Sequence, residues 1–274
     1  MRSPGWRPWL AVAAVALLAA PVSGAELEEV VRRGELIWAA DQEGGGPHVF
    51  PDPDEPTRLT GFEVDFAELV AGELGVRARF QQGQWDRLPL LLGRSADCVI
   101  NGFELTAERK RDYRCSRPYF AYALQLVGRR GESPVSVADL ERERPAGPWR
   151  VGVLTGSAAE HMLRTRPELS VDVIGYDGTV DSLEQLRSRV LDAVLMDDCI
   201  FAFYADRFET LRAVDRPFAG GTYTVLTAPD TPGLAAAIDA AIGRIVADGR
   251  LEALYDRRNL VRIAKQEHLL PAGE

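Results

Sequence analysis

The sequence predicts an α/β protein of two lobes with a ligand cleft between them. Three observations carry that prediction. Short apolar runs alternate with amphipathic helical stretches along most of the chain, the pattern of strands and covering helices. The order strand, helix, strand, helix, strand occurs twice, before and after a segment rich in Pro, Arg and Glu at 131–148. Extended segments around 119–128 and 221–227 join the two copies. The expected lobes are therefore residues 26–120 with 224–274, and residues 125–220. Such a protein holds its ligand between the lobes, at helix N-termini and strand ends.

Each element has its own reason. Residues 35–40 (ELIWAA) read as a buried strand. Residues 60–75 read as a helix, with Val64, Leu69, Val70 and Leu74 on one face, Phe66 flanking it and Gly75 as its stop. Residues 76–80 are the next strand, 85–92 a short helix and 97–101 a third strand. Thr106 is placed to cap a helix that starts Ala107-Glu108-Arg109. The second copy begins with a strand at 149–154, a Thr155-Gly156-Ser157 turn and a helix from about Ala158. A strand at 171–176, a helix at 180–188, a strand at 191–197 and a further helix follow. Helices at 233–249 and 251–258 close the fold, and the segment 131–148 is expected on the surface.

Composition excludes several classes. The chain has 274 residues, 46% hydrophobic and 27% charged, too long for a disulfide-stapled mini-protein. That apolar content offsets chain entropy, against low-complexity disorder. With 41 acidic against 32 basic residues and no basic stripe, a nucleic-acid partner is disfavoured. Residues 1–25 have the layout of a secretory signal peptide: Arg2 and Arg7, the apolar run LAVAAVALLAA, then Ser23-Gly24-Ala25 as a cleavage site. The run is about half a membrane-spanning helix, and no cysteine follows it for lipid attachment. The mature chain is expected to start near Glu26 and to be exported.

Cys98, Cys115 and Cys199 are an odd number, so at least one thiol is unpaired. Cys98 and Cys199 sit in apolar runs, as small buried residues do, and a Cys98–Cys115 disulfide stays open. His48, His161 and His268 are scattered without metal-ligand spacing, which argues against a zinc site or a Ser-His-Asp triad. No metal and no cofactor are expected.

More specific are GFEVDFAELVAGELG at 61–75, Trp85, and DCVINGFELTAERKRDYRCSRPYF at 97–120. They resemble the family 3 extracellular solute-binding proteins, the periplasmic amino-acid receptors of ABC importers. VGVLTGSAAEHML, LDAVLMD, PFAGGTYTVL and IVADGRLEALYDR match the same family in order and spacing. The resemblance implies a type II periplasmic-binding-protein fold, two αβ lobes on a two-strand hinge, and a periplasmic location.

It also implies a ligand site. Arg109, in the T-x-x-R helix start, grips the ligand α-carboxylate, since a guanidinium offers two parallel hydrogen bonds. Its plainer alternative is a surface charge, like Lys110 and Arg111. Asp197 accepts from the α-ammonium, with helix capping as its alternative and Asp198 as competitor. The backbone N–H groups of Ser157 and Ala158, at a helix start, meet the carboxylate from the second lobe. Ser157 can cap that helix as well. The Gly102 carbonyl accepts from the amine, Asp41 stands at a family ligand position, and Trp85 is an aromatic wall or a core residue.

Two features depart from the family pattern. Glu104 stands where Ser or Thr is common, and a carboxylate there can neutralise Arg109, bind a cationic side chain or point away. The Gly44-Gly45-Gly46 run replaces an aromatic that stacks on the ligand. It implies a flexible loop, a close backbone approach or a tolerant surface turn.

The reading is a non-catalytic, monomeric receptor that binds a small zwitterion, an amino acid, and closes by hinge bending. It then docks on the membrane permease of an ABC importer. Glu43, Glu104, Asp197 and Asp198 tilt the ligand towards a positive group. One rival is a dehydratase on the same scaffold acting on a small cyclic carboxylic acid, with Arg109 holding the substrate and Glu104 as general acid. Another is a sensor that hands its closed form to a separate membrane protein.

Overall fold

The computed structural model describes residues 25–260 except Gly44, Ser133, Val135 and Asn259. The signal-peptide expectation for residues 1–25 therefore lies outside the described residues but for Ala25. So do His268 and the stretch 261–274 assigned to the first lobe.

The first half runs α1 (Ala25–Arg33), β1 (Glu35–Ala40), β2 (Phe50–Pro51), β3 (Leu59–Thr60), α2 (Phe62–Glu73) and β4 (Arg77–Gln82). A 3₁₀ helix (Trp85–Leu91), β5 (Cys98–Val99), α3 (Ala107–Asp112) and β6 (Arg114–Cys115) complete it. The long strand β7 (Phe120–Arg129) leads into the second half. There a 3₁₀ helix (Val137–Glu141) precedes β8 (Trp149–Leu154), α4 (Ala158–Arg164), β9 (Val171–Tyr176), α5 (Thr179–Arg187), β10 (Ala193–Asp197) and α6 (Asp198–Tyr204). Strand β11 (Leu211–Tyr223) returns, followed by β12 (Leu226–Thr227), α7 (Pro232–Ala247) and α8 (Arg250–Arg257).

Two five-stranded sheets result, ordered β4-β1-β5-β12-β6 and β11-β7-β10-β8-β9. Each has three parallel strands and then an antiparallel strand that follows or precedes the other sheet's segment. The antiparallel pair β7–β11 runs from Leu211↔Arg129 to Tyr223↔Phe120, so both chain crossings lie side by side. β1 is buried from Leu36 to Ala40 because helices or neighbours cover both its faces.

Several elements differ from expectation for physical reasons. α2 starts at Phe62, because Gly61 (φ 127) turns the chain there and the N–H groups of Phe62 and Glu63 bond Pro47 O and His48 O at 2.8 and 3.0 Å. Its buried stripe is Phe62, Phe66 and Val70, while Val64, Leu69 and Leu74 are only partly buried. The aromatic rings win that face by stacking on Tyr119, with Phe66 at 4.4 Å. The open disulfide option is not realised, and all three cysteines are free. β12 lies between β5 and β6, with Leu226 opposite both Val99 and Cys115. Strands two places apart are separated by about 9–10 Å, beyond disulfide reach. In the segment 131–148, expected on the surface, Asp139 and Leu140 are buried, and Trp149 Nε1 donates to Asp139 O at 2.9 Å.

Candidate ligand-binding site

Helix starts from both sheets meet at one carboxylate. Thr106 caps α3 as expected, its hydroxyl accepting from Arg109 N at 3.2 Å. That turn sends the Arg109 side chain back over the Phe103 and Trp85 rings, 4.5 and 5.5 Å from their centroids. That side chain is thus largely covered, at 13% exposure, unlike a surface charge. Nη1 donates to Glu104 O at 2.9 Å and to the Glu104 carboxylate, and Nη2 reaches Gly156 O at 3.4 Å. Across the cleft, Ser157 caps α4, and Ala158 N–H donates to the other Glu104 oxygen at 2.9 Å. The Ser157 N–H, expected to face a ligand, bonds Leu154 O at 3.2 Å instead, because it closes the turn before the helix.

Asp197 ends β10 and occupies the cap position of α6 without making a side-chain cap bond. Its carboxylate accepts from the Tyr223 hydroxyl. Burial, then the nearby Glu104 charge, push the Asp197 carboxyl well above the usual range, although the Tyr223 bond acts the other way. Asp198 does not compete for the cleft. Its carboxylate accepts from Ala123 N and Cys199 N at 3.1 and 2.9 Å.

Behind the cleft is a buried polar chain that sequence reasoning missed. Glu63 accepts from Gly102 N at 2.7 Å and from the Tyr119 hydroxyl. His48 Nδ1 lies 3.8 Å from Glu63, and its Nε2 lies 3.7 Å from Cys199 Sγ. Cys199 is in turn 3.8 Å from the Tyr223 hydroxyl. Burial lowers the His48 pKa, opposed by Glu63. Only Glu63 had a local signal: an acid on the stripe that α2 buries. His48, Cys199 and Tyr223 are brought together from distant segments.

The model of the bacterial extracellular solute-binding proteins, family 3, matches residues 43–258. The chain belongs to this family. It is 31% identical over 234 residues to the L-cystine-binding protein TcyJ of Escherichia coli (strain K12), covering 84% of this chain and 85% of that one. Among solved structures, it matches an ancestral arginine-binding protein bound to arginine with a TM-score of 0.74 at 28% identity, covering 82% and 98% of the two chains. An ancestral amino-acid-binding protein, AncCDT-1, described as a precursor of cyclohexadienyl dehydratase, matches with a TM-score of 0.75 at 25% identity, covering 84% and 98%. The fold is that of the type II periplasmic binding proteins.

Within this family 3 protein, a cavity of about 40 Å³ is lined by His48, Trp85, Gly102, Glu104, Ser157 and Asp197, among others. Arg109 and Ala158 border it on the outer side, with Trp85 and Ser157 shared. All the expected site residues but one therefore come together. Asp41 stands apart, its oxygens accepting from Gln82 Nε2 and Glu43 N at 2.9 Å and from Trp85 N at 3.1 Å. Its bond from Trp85 N ties it to the loop that presents Trp85. Trp85 is both wall and core: it stacks on Phe103 at 4.7 Å, and its Nε1 donates to Asn101 O at 2.8 Å.

Gly45 and Gly46 do not form a surface turn, and Gly45 lines the candidate cavity. Gly44 lies outside the described residues, and residues 45–49 are buried. Gly46 N–H donates to the Tyr204 hydroxyl at 2.9 Å. A Cβ on Gly45 would collide with that hydroxyl, and one on Gly46 with the Phe203 ring. The bulky group the glycines admit is α6 itself.

Proposed function

We propose that this chain is an exported, periplasmic, monomeric receptor that captures a small zwitterion, an amino acid, and delivers it to the membrane permease of an ABC importer. In this reading the lobes are residues 26–120 with 224–274 and residues 125–220, hinged where β7 and β11 pair. One observation carries it. Arg109 and the Ala158 N–H, from elements on opposite sheets, converge on a single carboxylate. That is the geometry a clamp for a ligand carboxylate requires. Asp197, on the cavity wall, then takes the ligand ammonium, with the Gly102 carbonyl as second acceptor and Trp85 as wall. The TcyJ name and the arginine-bound ancestral structure support an amino acid as ligand.

The receptor works without turnover. Glu104 accepts on both oxygens, an arrangement that suits a bound carboxylate better than a general acid.

A thermal-shift panel of the mature protein against amino acids tests the reading. At a hundred times the dissociation constant, linkage adds about 2.7 kcal/mol of stability. We expect a clear shift with at least one amino acid, lost in Arg109→Ala. No shift with any of them sinks the proposal, and turnover of prephenate or arogenate would move it to the dehydratase class.

A further inference from the structure

We propose that Glu104 is a built-in stand-in for the ligand α-carboxylate, and that an entering amino acid exchanges its own carboxylate for that of Glu104. The inference rests on the receptor reading above and concerns what fills the clamp. Both donors that a ligand carboxylate needs, the Arg109 guanidinium and the Ala158 N–H, already bond Glu104, one to each oxygen. The Glu104 side chain thus spans the cleft as a bound ligand would, and its residue is 2% exposed.

Three further observations favour exchange over addition. The cavity beside the clamp is about 40 Å³, room for only a few waters at about 10–15 Å³ each. That inner space is too small for an amino acid while Glu104 stays, whereas the outer pocket beside Arg109 and Ala158 is about 570 Å³. Charge points the same way: Glu104 and Asp197 already repel, with Arg109 the cation that acts on Asp197. A further anion would worsen that balance, whereas exchange leaves one carboxylate on Arg109 before and after. Last, the Glu104 backbone is anchored, bridging to Tyr223, with Leu105 N donating to Thr222 O at 2.8 Å. Only the side chain is free to leave. Once displaced, it remains in the acidic corner with Asp197, where the ligand ammonium serves both.

The consequence is a receptor whose lobes are bridged without ligand and whose affinity is held down by an internal competitor. Glu104→Thr removes the competitor and leaves a short hydroxyl side chain in its place. Calorimetric titrations would compare L-arginine, L-lysine, L-glutamine and L-cystine with their decarboxylated amines agmatine, cadaverine, 4-aminobutanamide and cystamine. The expected result is that Glu104→Thr binds the preferred amino acid at least tenfold more tightly than wild type, while its amine binds equally or more weakly. Glu104→Gln, which keeps the shape and loses the charge, should gain in the same direction and carries the test if the threonine variant does not fold. Equal gains for amino acid and amine overturn the proposal, since extra space alone would explain them. Weaker amino-acid binding in both variants overturns it too, while leaving the receptor reading intact. No binding of any probe by any of the three proteins overturns both.

Discussion

Strand β10 has an aspartate just ahead of its start and another at its end, and the two behave oppositely. Asp192 and Asp197 are similarly buried, at 7% and 9% exposure. Burial alone would raise both carboxyls. At Asp192, Arg150 donates from its side chain and backbone, and Arg144 donates at 2.5 Å. Those bonds outweigh burial and hold the carboxyl at about 2. Asp197 faces Glu104 and has a tyrosine hydroxyl as its partner, and its carboxyl is pushed well up. An acid that serves the fold is given its cations by the chain. An acid left short of them, on a cavity wall, is in the proposed function the candidate acceptor for a cation from outside.

The largest expected effect breaks this contrast at the cleft end. Asp197→Asn should weaken amino-acid binding about 100-fold, or roughly 3 kcal/mol, because a charged acceptor for the ammonium is lost. The same change should not lower the urea-unfolding stability of the free protein, since it removes a buried acid with an unfavourable neighbour. A variant that binds normally would mean Asp197 is not the ammonium acceptor.

The opposite end should split the other way. Asp192→Ala removes the carboxylate that pairs with Arg144 and Arg150 and leaves the Arg150 N–H without its acceptor. A loss of about 2 kcal/mol in unfolding stability follows, with ligand affinity unchanged. Equal damage to affinity would mean that the two ends of β10 are coupled, against the division drawn above.

How much of this was readable beforehand depends on where the partners lie. β8 and β9 match their expected ranges at 149–154 and 171–176, because continuous apolar runs bounded by turns need no distant information. The Thr106 and Ser157 caps are local for the same reason. The type II architecture and the placement of Arg109 were legible through family resemblance. The two aspartates of LDAVLMD were not distinguishable, since Arg144 and Arg150 reach Asp192 from 48 and 42 positions away and Tyr223 reaches Asp197 from 26. Glu104 was visible as an anomaly five residues before Arg109, but its reach to Ala158 depends on how the sheets meet. The aromatic stripe of α2 was misjudged because its stacking partner, Tyr119, comes from a distant segment.

The smallest expected effect lies in the pH profile, where the two aspartates should leave marks of opposite sign. Asp192 is depressed in the folded protein. Its contribution is therefore full above the ordinary carboxylate value and is lost as pH falls from about 4 towards 2. Because Arg150 is half-exposed, solvent screening reduces that contribution to about 1 kcal/mol. Asp197 is raised, so the folded state holds its proton more tightly than the unfolded chain does. Its favourable contribution is present below the ordinary value and fades as pH rises towards the raised one. Urea midpoints measured from pH 2 to 7 should show Asp192→Asn flattening the acid side of the stability curve. Asp197→Asn should instead flatten the decline above pH 4, and it should also remove a proton release on ligand binding that wild type shows in buffers of different ionisation enthalpy. If both variants flatten the same side, the carboxyls share one environment and partner supply does not separate them.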